Sequence, residues 1–260
     1  MKYDLSICAY CKDETDYLEE WVNFNRCVGV EHFYIYDNFS VVPAKITLSK
    51  YINAGYVTVI DFPGGGRQIQ CFNNCLNDHR NDSKWIAFID CDEFLIPKQV
   101  DTIQEVLKDY ENYGGLCVNW VMFGTSGFLT KQPGLVSEIF TLSKPNKHTK
   151  TIVQTEFAIQ SSGNPHSFRY KNKYFSVSEN LQRVDNVFIN PNINKIQLNH
   201  YIIKSREEFE KKHKKYLQGT ADGSKHLSKL EDDINSTDTE CVDIDTSAFR
   251  FIEKTKKLYL

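Results

Sequence analysis

Apolar and polar positions along the first ninety residues follow two alternating spacings. Residues 4–10 (DLSICAY) read as a strand, and over 14–28 Leu18, Trp21, Val22 and Val28 fall on one face of a helix. Gly29 follows at a position suited to ending that helix. Residues 32–37 (HFYIYD), rich in β-formers, predict a second strand. A short helix after Pro43 leads to a third strand at 56–62 (YVTVIDF), and a helix at 67–79 leads to a fourth at 85–90 (WIAFID). This β-α repeat predicts an α/β domain: a Rossmann-like, mainly parallel sheet with helices on both faces.

The second half is less regular. Thr102 opens a helix with Glu105 at capping-box spacing. Residues 116–123 (LCVNWVMF) predict a long apolar strand, and shorter extended pieces follow between 150 and 200. A last strand at 195–201 (KIQLNHY) enters a helix with Ser205 and Glu208 as a second capping box and Gly219 as its stop. Residues 219–245 read as a polar loop. These patterns predict one domain over 1–218, mixed in its C-terminal half, then the loop and a helical tail over 219–260. No internal repeat and no interdomain linker is visible.

Composition narrows the partners. The 260 residues are 41% hydrophobic and 13% aromatic, enough for a packed core. The net charge of −3 gives no field for a nucleic-acid backbone, so no nucleic acid is expected. Eight cysteines lie mostly in apolar runs and read as buried free thiols of a reducing compartment. Cys8 and Cys11 have zinc-like spacing, but no second pair follows. With no signal-like segment and no apolar run of about 18 residues, the expectation is a cytoplasmic protein, at most peripheral to a membrane. The tail 249–260 mixes aromatics with lysine, as in a membrane-surface anchor or a docked helix.

In parallel α/β sheets, ligands bind at the carboxyl ends of the strands. Lys12 and Glu14 follow the first strand, Asp37 and Asn38 the second, and Asp90 and Asp92 the fourth. Acidic residues also begin turns and cap helices, which is the plainer reading of each. Asp90-Cys91-Asp92 is more specific. Side chains two apart on a strand point the same way, and two buried carboxylates repel unless a cation lies between them. Mg²⁺ or Mn²⁺ suits such oxygen ligands and leaves positions open for phosphate. Lys204, at a helix start, is placed to meet a diphosphate, or is simply solvated. Trp120, Phe123 and the turn from Gly124 to Gly127 offer an acceptor platform, against a reading as core aromatics before a turn. Glu156 and His166 are the candidates for a general base, and their spacing singles out neither. Residues 63–67 (PGGGR) lack the following Gly-Lys-Ser/Thr of a phosphate loop and read as a turn.

Four blocks, 20–40 (EWVNFNRCVGVEHFYIYDNFS), 84–97 (KWIAFIDCDEFLIP), 120–127 (WVMFGTSG) and 199–212 (NHYIIKSREEFEKK), together resemble glycosyltransferase family 92 and family-2-like enzymes. The resemblance spans about residues 5–215. It implies a GT-A fold, a divalent metal, usually Mn²⁺, and inverting transfer from a nucleotide sugar, often UDP-galactose, to a glycan or glycolipid. By that resemblance Asp90 and Asp92 form the DxD motif, and His200 completes the metal shell. Asp37 would lie near the nucleoside, with Lys12 and Glu14 lining the same pocket. The chain departs from the family pattern at Asp13 (usually Asn), Asn25 (usually His) and Val42 (often Asp). Two rivals are a phosphotransferase or phosphatase using the same Asp pair, and a sugar-binding module that has lost catalysis, against which the intact Asp pair, His200 and Lys204 speak. Position argues against the first, since Asp-nucleophile phosphatases carry the pair on their first strand.

Overall fold

Strand β1 (Tyr3–Cys11) runs through the middle of the sheet and is buried on both sides. Its residues alternate between two cores: Leu5, Ile7, Ala9 and Cys11 pack into one, Cys8 and Tyr10 against the other. The period of two also separates the zinc-like pair, because Cys8 and Cys11 face opposite sides of the sheet. All eight cysteines are free and buried.

The computed structural model describes residues 1–217, 232 and 234–260. Parallel to β1 lie β2 (His32–Asp37) and β4 (Ser83–Phe88), and β3 (Val57–Asp61) continues beyond β2. The order is thus β3-β2-β1-β4. Helix α1 (Leu18–Cys27) covers one face through Leu18, Trp21 and Val22. Two short helices, α2 (Ala44–Thr47) and α3 (Ser49–Asn53), lead into β3. Helix α4 (Gln68–His79) covers the other face through Cys71, Phe72, Cys75 and Leu76. Fully burying a side chain such as Phe72 contributes about 1.5–3 kcal/mol. This is the α/β, Rossmann-like arrangement expected of the first ninety residues.

Beyond β4 the sheet is mixed, as expected of the C-terminal half. The long β7 (Leu142–Gln154) runs antiparallel between β4 and β6 (Gly115–Phe123). Strand β12 (Ile196–His200) lies parallel to β6 and antiparallel to β5 (Glu93–Pro97), which directly follows the Asp90–Asp92 turn. Short strands β10 (Ser176–Val177) and β11 (Arg183–Val184) form the far edge, and β8 (Ala158–Ser161) with β9 (Phe168–Tyr170) forms a separate pair. Both capping boxes are present: Thr102 with Glu105 begins α5 (Ile103–Leu107), and Ser205 with Glu208 begins α7 (Arg206–Leu217).

Helix α6 (Val136–Ile139) is capped from a distance. The buried Glu20 carboxylate of α1 accepts from Val136 N at 2.8 Å, Ser137 N at 2.9 Å and Ser137 Oγ at 2.8 Å. Burial pushes the Glu20 pKa up, and these bonds offset only part of the rise.

The expected polar loop over 219–245 requires correction. Residues 234–240 form a helix (α8), and Asp243–Ile244 (β13) pairs with β7. Few apolar residues signal this segment, but Ile234 and Cys241 are buried and Asp238 accepts from Thr125 N and Oγ1. Gly219, the expected helix stop, and the rest of that loop lie outside the described residues. The tail forms α9 (Phe249–Lys256), docked on α1: Phe251 meets Phe24 at 5.9 Å, and Lys254 Nζ donates to Cys27 O at 3.2 Å. Among the described residues no helix is long and apolar enough to cross a membrane.

Candidate active site

β4 ends at Phe88, so Asp90-Cys91-Asp92 lies in the turn joining β4 to β5 rather than on an extended strand. Glu93 N–H donates to Asp90 O at 3.1 Å, and Asp90 N–H donates back to Glu93 Oε2 at 2.8 Å. From α1, Trp21 Nε1 donates to Glu93 O at 2.7 Å and pins the turn from below. The expectation that both carboxylates share one strand face is therefore corrected, and each meets a different cation. Asp90 Oδ2 accepts from Lys150 Nζ at 2.7 Å, and its Oδ1 accepts from Gln68 Nε2 at 2.5 Å. Asp92 Oδ1 stands 3.5 Å from His200 Nε2, and its Oδ2 accepts from Lys212 Nζ at 3.2 Å.

Strand pairing explains how distant residues arrive here. His200 lies opposite Glu93 on β5 and Met122 on β6, and Tyr201 N–H donates to Asp92 O at 2.9 Å. Ala87 pairs with Ile152, and continuing that antiparallel register puts Lys150 abreast of the end of β4.

The electrostatics follow from burial and these partners. Burial raises the Asp92 pKa, but Lys212, His200 and Lys204 outweigh it and hold the carboxyl well below its usual range. Burial lowers the His200 pKa, and Asp92 more than reverses this. Glu93, fully buried, is pushed up to about 7 by burial, against the pull of Lys150. Lys150 itself is only 2% exposed, yet Asp90 and Glu93 keep its pKa above the usual lysine value. Lys150 thus spends its charge on Asp90, while Glu93 holds a proton up to near neutrality.

Trp120 is half-buried amid three imidazoles. It stacks on His148 at 4.8 Å, meets His166 edge-on at 5.3 Å and lies 4.5 Å from His200. With its neighbourhood occupied by imidazoles, Trp120 is part of the wall of the site rather than an open platform. His166 Nδ1 lies 2.7 Å from Thr149 O, so Nδ1 carries the proton and Nε2 keeps its lone pair. Burial, then Lys150, lowers its pKa and keeps the ring neutral.

Other candidates fall into place unevenly. Glu14 joins the site, pairing with Lys212 at 2.8 Å and Lys204 at 3.6 Å. Lys204 is buried and covers the Tyr17 ring at 4.8 Å, so it is not a solvated lysine. Lys12 lies at the same edge, where Nζ donates to Asn38 O at 2.9 Å and Phe39 O at 2.8 Å. Asp37 is corrected: its buried carboxylate accepts from Ser40 N, Ser40 Oγ and Ala44 N, which leaves it capping α2. Phe123 is corrected to a core residue, 1% exposed and 4.4 Å from Tyr201. Gly124 packs beneath α8, where a Cβ would meet Asp238 Oδ1 at 2.5 Å, so it does not face an acceptor. Glu156 is exposed in the turn after Gln154, which pairs with Trp85 near the start of β4, at the edge away from Asp90.

Lys150, Glu93, Gln68, His148 and Lys212 were not singled out by the sequence patterns. Lys150 had a signal: it shares strand parity with the core residue Ile152, and a charge on a core face requires a partner.

For a divalent cation, the fitting donors are Asp92 and His200. They are buried and face one another, and Lys212 and His200 keep Asp92 ionised, whereas Asp90 faces Lys150 and Gln68 instead. Among the described residues no group of three or more His, Cys, Asp or Glu converges for a metal.

The profile of glycosyltransferase family 92 matches residues 3–237. The chain belongs to glycosyltransferase family 92. A rice (Oryza sativa subsp. japonica) glycosyltransferase family 92 protein, Os08g0121900, is 30% identical over 193 residues, covering 70% of this chain and 33% of the relative. The Arabidopsis thaliana galactan beta-1,4-galactosyltransferase GALS3 is 30% identical over 125 residues, covering 43% of this chain and 25% of that protein. The chain thus spans about a third or less of the length of these relatives. Among solved structures, S. aureus TarS 1-349 aligns at 16% identity and a TM-score of 0.44, covering 80% of this chain and 62% of that one.

Proposed function

We propose that this chain transfers a hexose, galactose first among candidates, from a nucleotide-diphosphate sugar such as a UDP-sugar to a glycan or glycolipid acceptor. Transfer would proceed with inversion, and Asp92 and His200 would hold the Mn²⁺ or Mg²⁺ that assists it. The observation that carries this reading is the buried Asp92–His200 pair beside the carboxyl end of β4, in a family 92 chain. Two Arabidopsis relatives named galactan beta-1,4-galactosyltransferases favour galactose. A bound cation would neutralise charge on the departing diphosphate. Lys204 and Lys212, gathered around Glu14, supply further positive charge for phosphate oxygens. His166, neutral and with Nε2 unprotonated, takes the proton from the acceptor hydroxyl as it attacks the anomeric carbon. Asp90, tied to Lys150 and Gln68, holds the turn in shape.

Calorimetric titration of Mn²⁺ in the presence of UDP tests the assignment. Asp92→Asn should abolish cation-dependent UDP binding and galactose transfer while the circular dichroism spectrum stays unchanged. His200→Ala should weaken Mn²⁺ by about 10–100-fold, the scale seen when metal-site interactions are lost. Wild-type Mn²⁺ affinity in Asp92→Asn removes the pair from the site.

A further inference from the structure

Along the far edge of the sheet, away from the Asp90–Asp92 turn, runs a groove of about 370 Å³. Its lining includes Ser178, Asn180, Gln182, Arg183, Asn190 and Asn192. Such a volume lies within the range of small-ligand sites. The lining is rich in amides, which offer donors and acceptors without charge. The one cation, Arg183, is paired with Asp185 at 2.8 Å. Ser178 is only 6% exposed, and its hydroxyl has no hydrogen-bond partner. A buried polar group left in that state costs free energy until something pairs with it.

The groove connects to the reaction centre. Chain segment 187–189 lies against β7, with Thr149 N–H donating to Val187 O at 3.1 Å and Ile189 N–H to Lys147 O at 2.9 Å. Asn192 N–H donates to Asn119 Oδ1 at 3.2 Å, next to Trp120. Between groove and centre stands a ladder of rings. Phe188, half exposed, meets His148 at 4.5 Å, His148 meets Trp120 at 4.8 Å, and Trp120 meets His200 at 4.5 Å. Its outer end is therefore an exposed aromatic ring, and its inner end touches the ligand pair for the cation.

We propose that this groove is a subsite for a neutral hexose oligosaccharide, the far portion of the acceptor, with the exposed ring of Phe188, next in the chain to the lining residue Ile189, as a stacking face beside it. This rests on the transferase reading. Pyranose C–H groups carry partial positive charge and suit the negative face of an aromatic ring. Adjacent sugar hydroxyls both donate and accept, which matches the side-chain amides and the unpaired Ser178 hydroxyl. A lining without net charge disfavours an acidic or phosphorylated ligand. Three ring-to-ring contacts separate Phe188 from His200, so a ligand that reaches from the groove to the centre is an oligosaccharide rather than a single sugar.

Calorimetry with β-1,4-linked galactotetraose and with galactose, against wild type, Phe188→Ala and Gln182→Ala, tests the subsite. Binding of UDP with Mn²⁺ serves as the control in each protein. The tetraose should bind wild type at least about tenfold more tightly than galactose. Each substitution should weaken it about five- to tenfold, the scale of one lost aromatic or hydrogen-bonding contact, with UDP and Mn²⁺ affinity unchanged. In turnover, both variants should raise KM for the tetraose and leave kcat alone. Equal tetraose affinity in both variants and wild type overturns the proposal. So does a wild type that binds UDP with Mn²⁺ but not the tetraose, an outcome that leaves the transferase reading standing. A wild type that binds neither sinks both. If Phe188→Ala also loses UDP, its ring is structural and Gln182→Ala decides.

Discussion

Replacing Lys150 by methionine keeps most of the aliphatic stem and removes the ammonium. The site is 2% exposed, with Asp90 Oδ2 at 2.7 Å and Glu93 Oε2 at 3.8 Å. Breaking a buried pair from one side typically costs 3–5 kcal/mol, because the remaining charge loses its partner and not its desolvation. Asp90 is one-third exposed and keeps Gln68, so the larger share of the cost falls on Glu93, whose Oε1 has no partner even in the wild type. We therefore expect a loss of about 3 kcal/mol, the low end of that range. For a chain of this size it corresponds to a fall in Tm on the order of 10 °C. The pH dependence carries a sign. Burial pushes the Glu93 pKa up to about 7 in the fold, against an ordinary 4.5, so the folded state holds the extra proton. Its contribution is present below the lower value and is lost as pH rises through the upper one. Removing Lys150, which pulls the Glu93 pKa down, extends that window upward, so Lys150→Met should be less destabilised at pH 5 than at pH 8. Urea denaturation at both pH values measures this, and Lys150→Met/Glu93→Gln should recover part of the loss. A cost under about 1 kcal/mol, the level of an exposed pair, or no gain at pH 5, refutes the reasoning.

Two further outcomes concern stability away from the site. His32, stacked on Tyr3 at 4.6 Å, is lowered from 6.5 to about 4 by burial, so its stabilising share is complete above pH 6.5 and lost as pH falls towards 4. His32→Gln should flatten the urea midpoint across this interval. Phe251→Ala should cost about 3–5 kcal/mol in urea denaturation, as for other buried aromatics, and a midpoint equal to wild type would show that α9 contributes nothing to the core.

The parallel half was legible because its signals are local. Strands β1 to β4 carry their period-two or all-apolar patterns within a few residues, and both capping boxes lie within four. The Asp90–Asp92 pair was visible for the same reason, but its geometry was not. Reading it as strand put both carboxylates on one face, whereas the hydrogen bonds between Asp90 and Glu93 close a turn in which each carboxylate takes different partners. Asp37 shows the opposite failure, since a carboxylate at a strand end reads alike whether it binds a ligand or caps the next helix. Lys150 and His148 reach the site only through the β4–β7–β6 pairing, a long-range register that composition does not reveal. Helix α8 was missed because its buried side chains, Ile234 and the adjoining Cys241, are too few for a period to emerge.

The contact between Glu20 and the start of α6 bears on how the chain is made. Synthesis proceeds from the N-terminus, so α1 leaves the ribosome more than a hundred residues before Val136 and Ser137 exist. Until then its carboxylate has no internal donors and must remain in water. The same helix waits longer still for α9, whose Phe251 closes over Phe24. A helix made well ahead of its partners is thus among the last to be sealed, and the nascent α1 face is what a chaperone would have to shield in the interval.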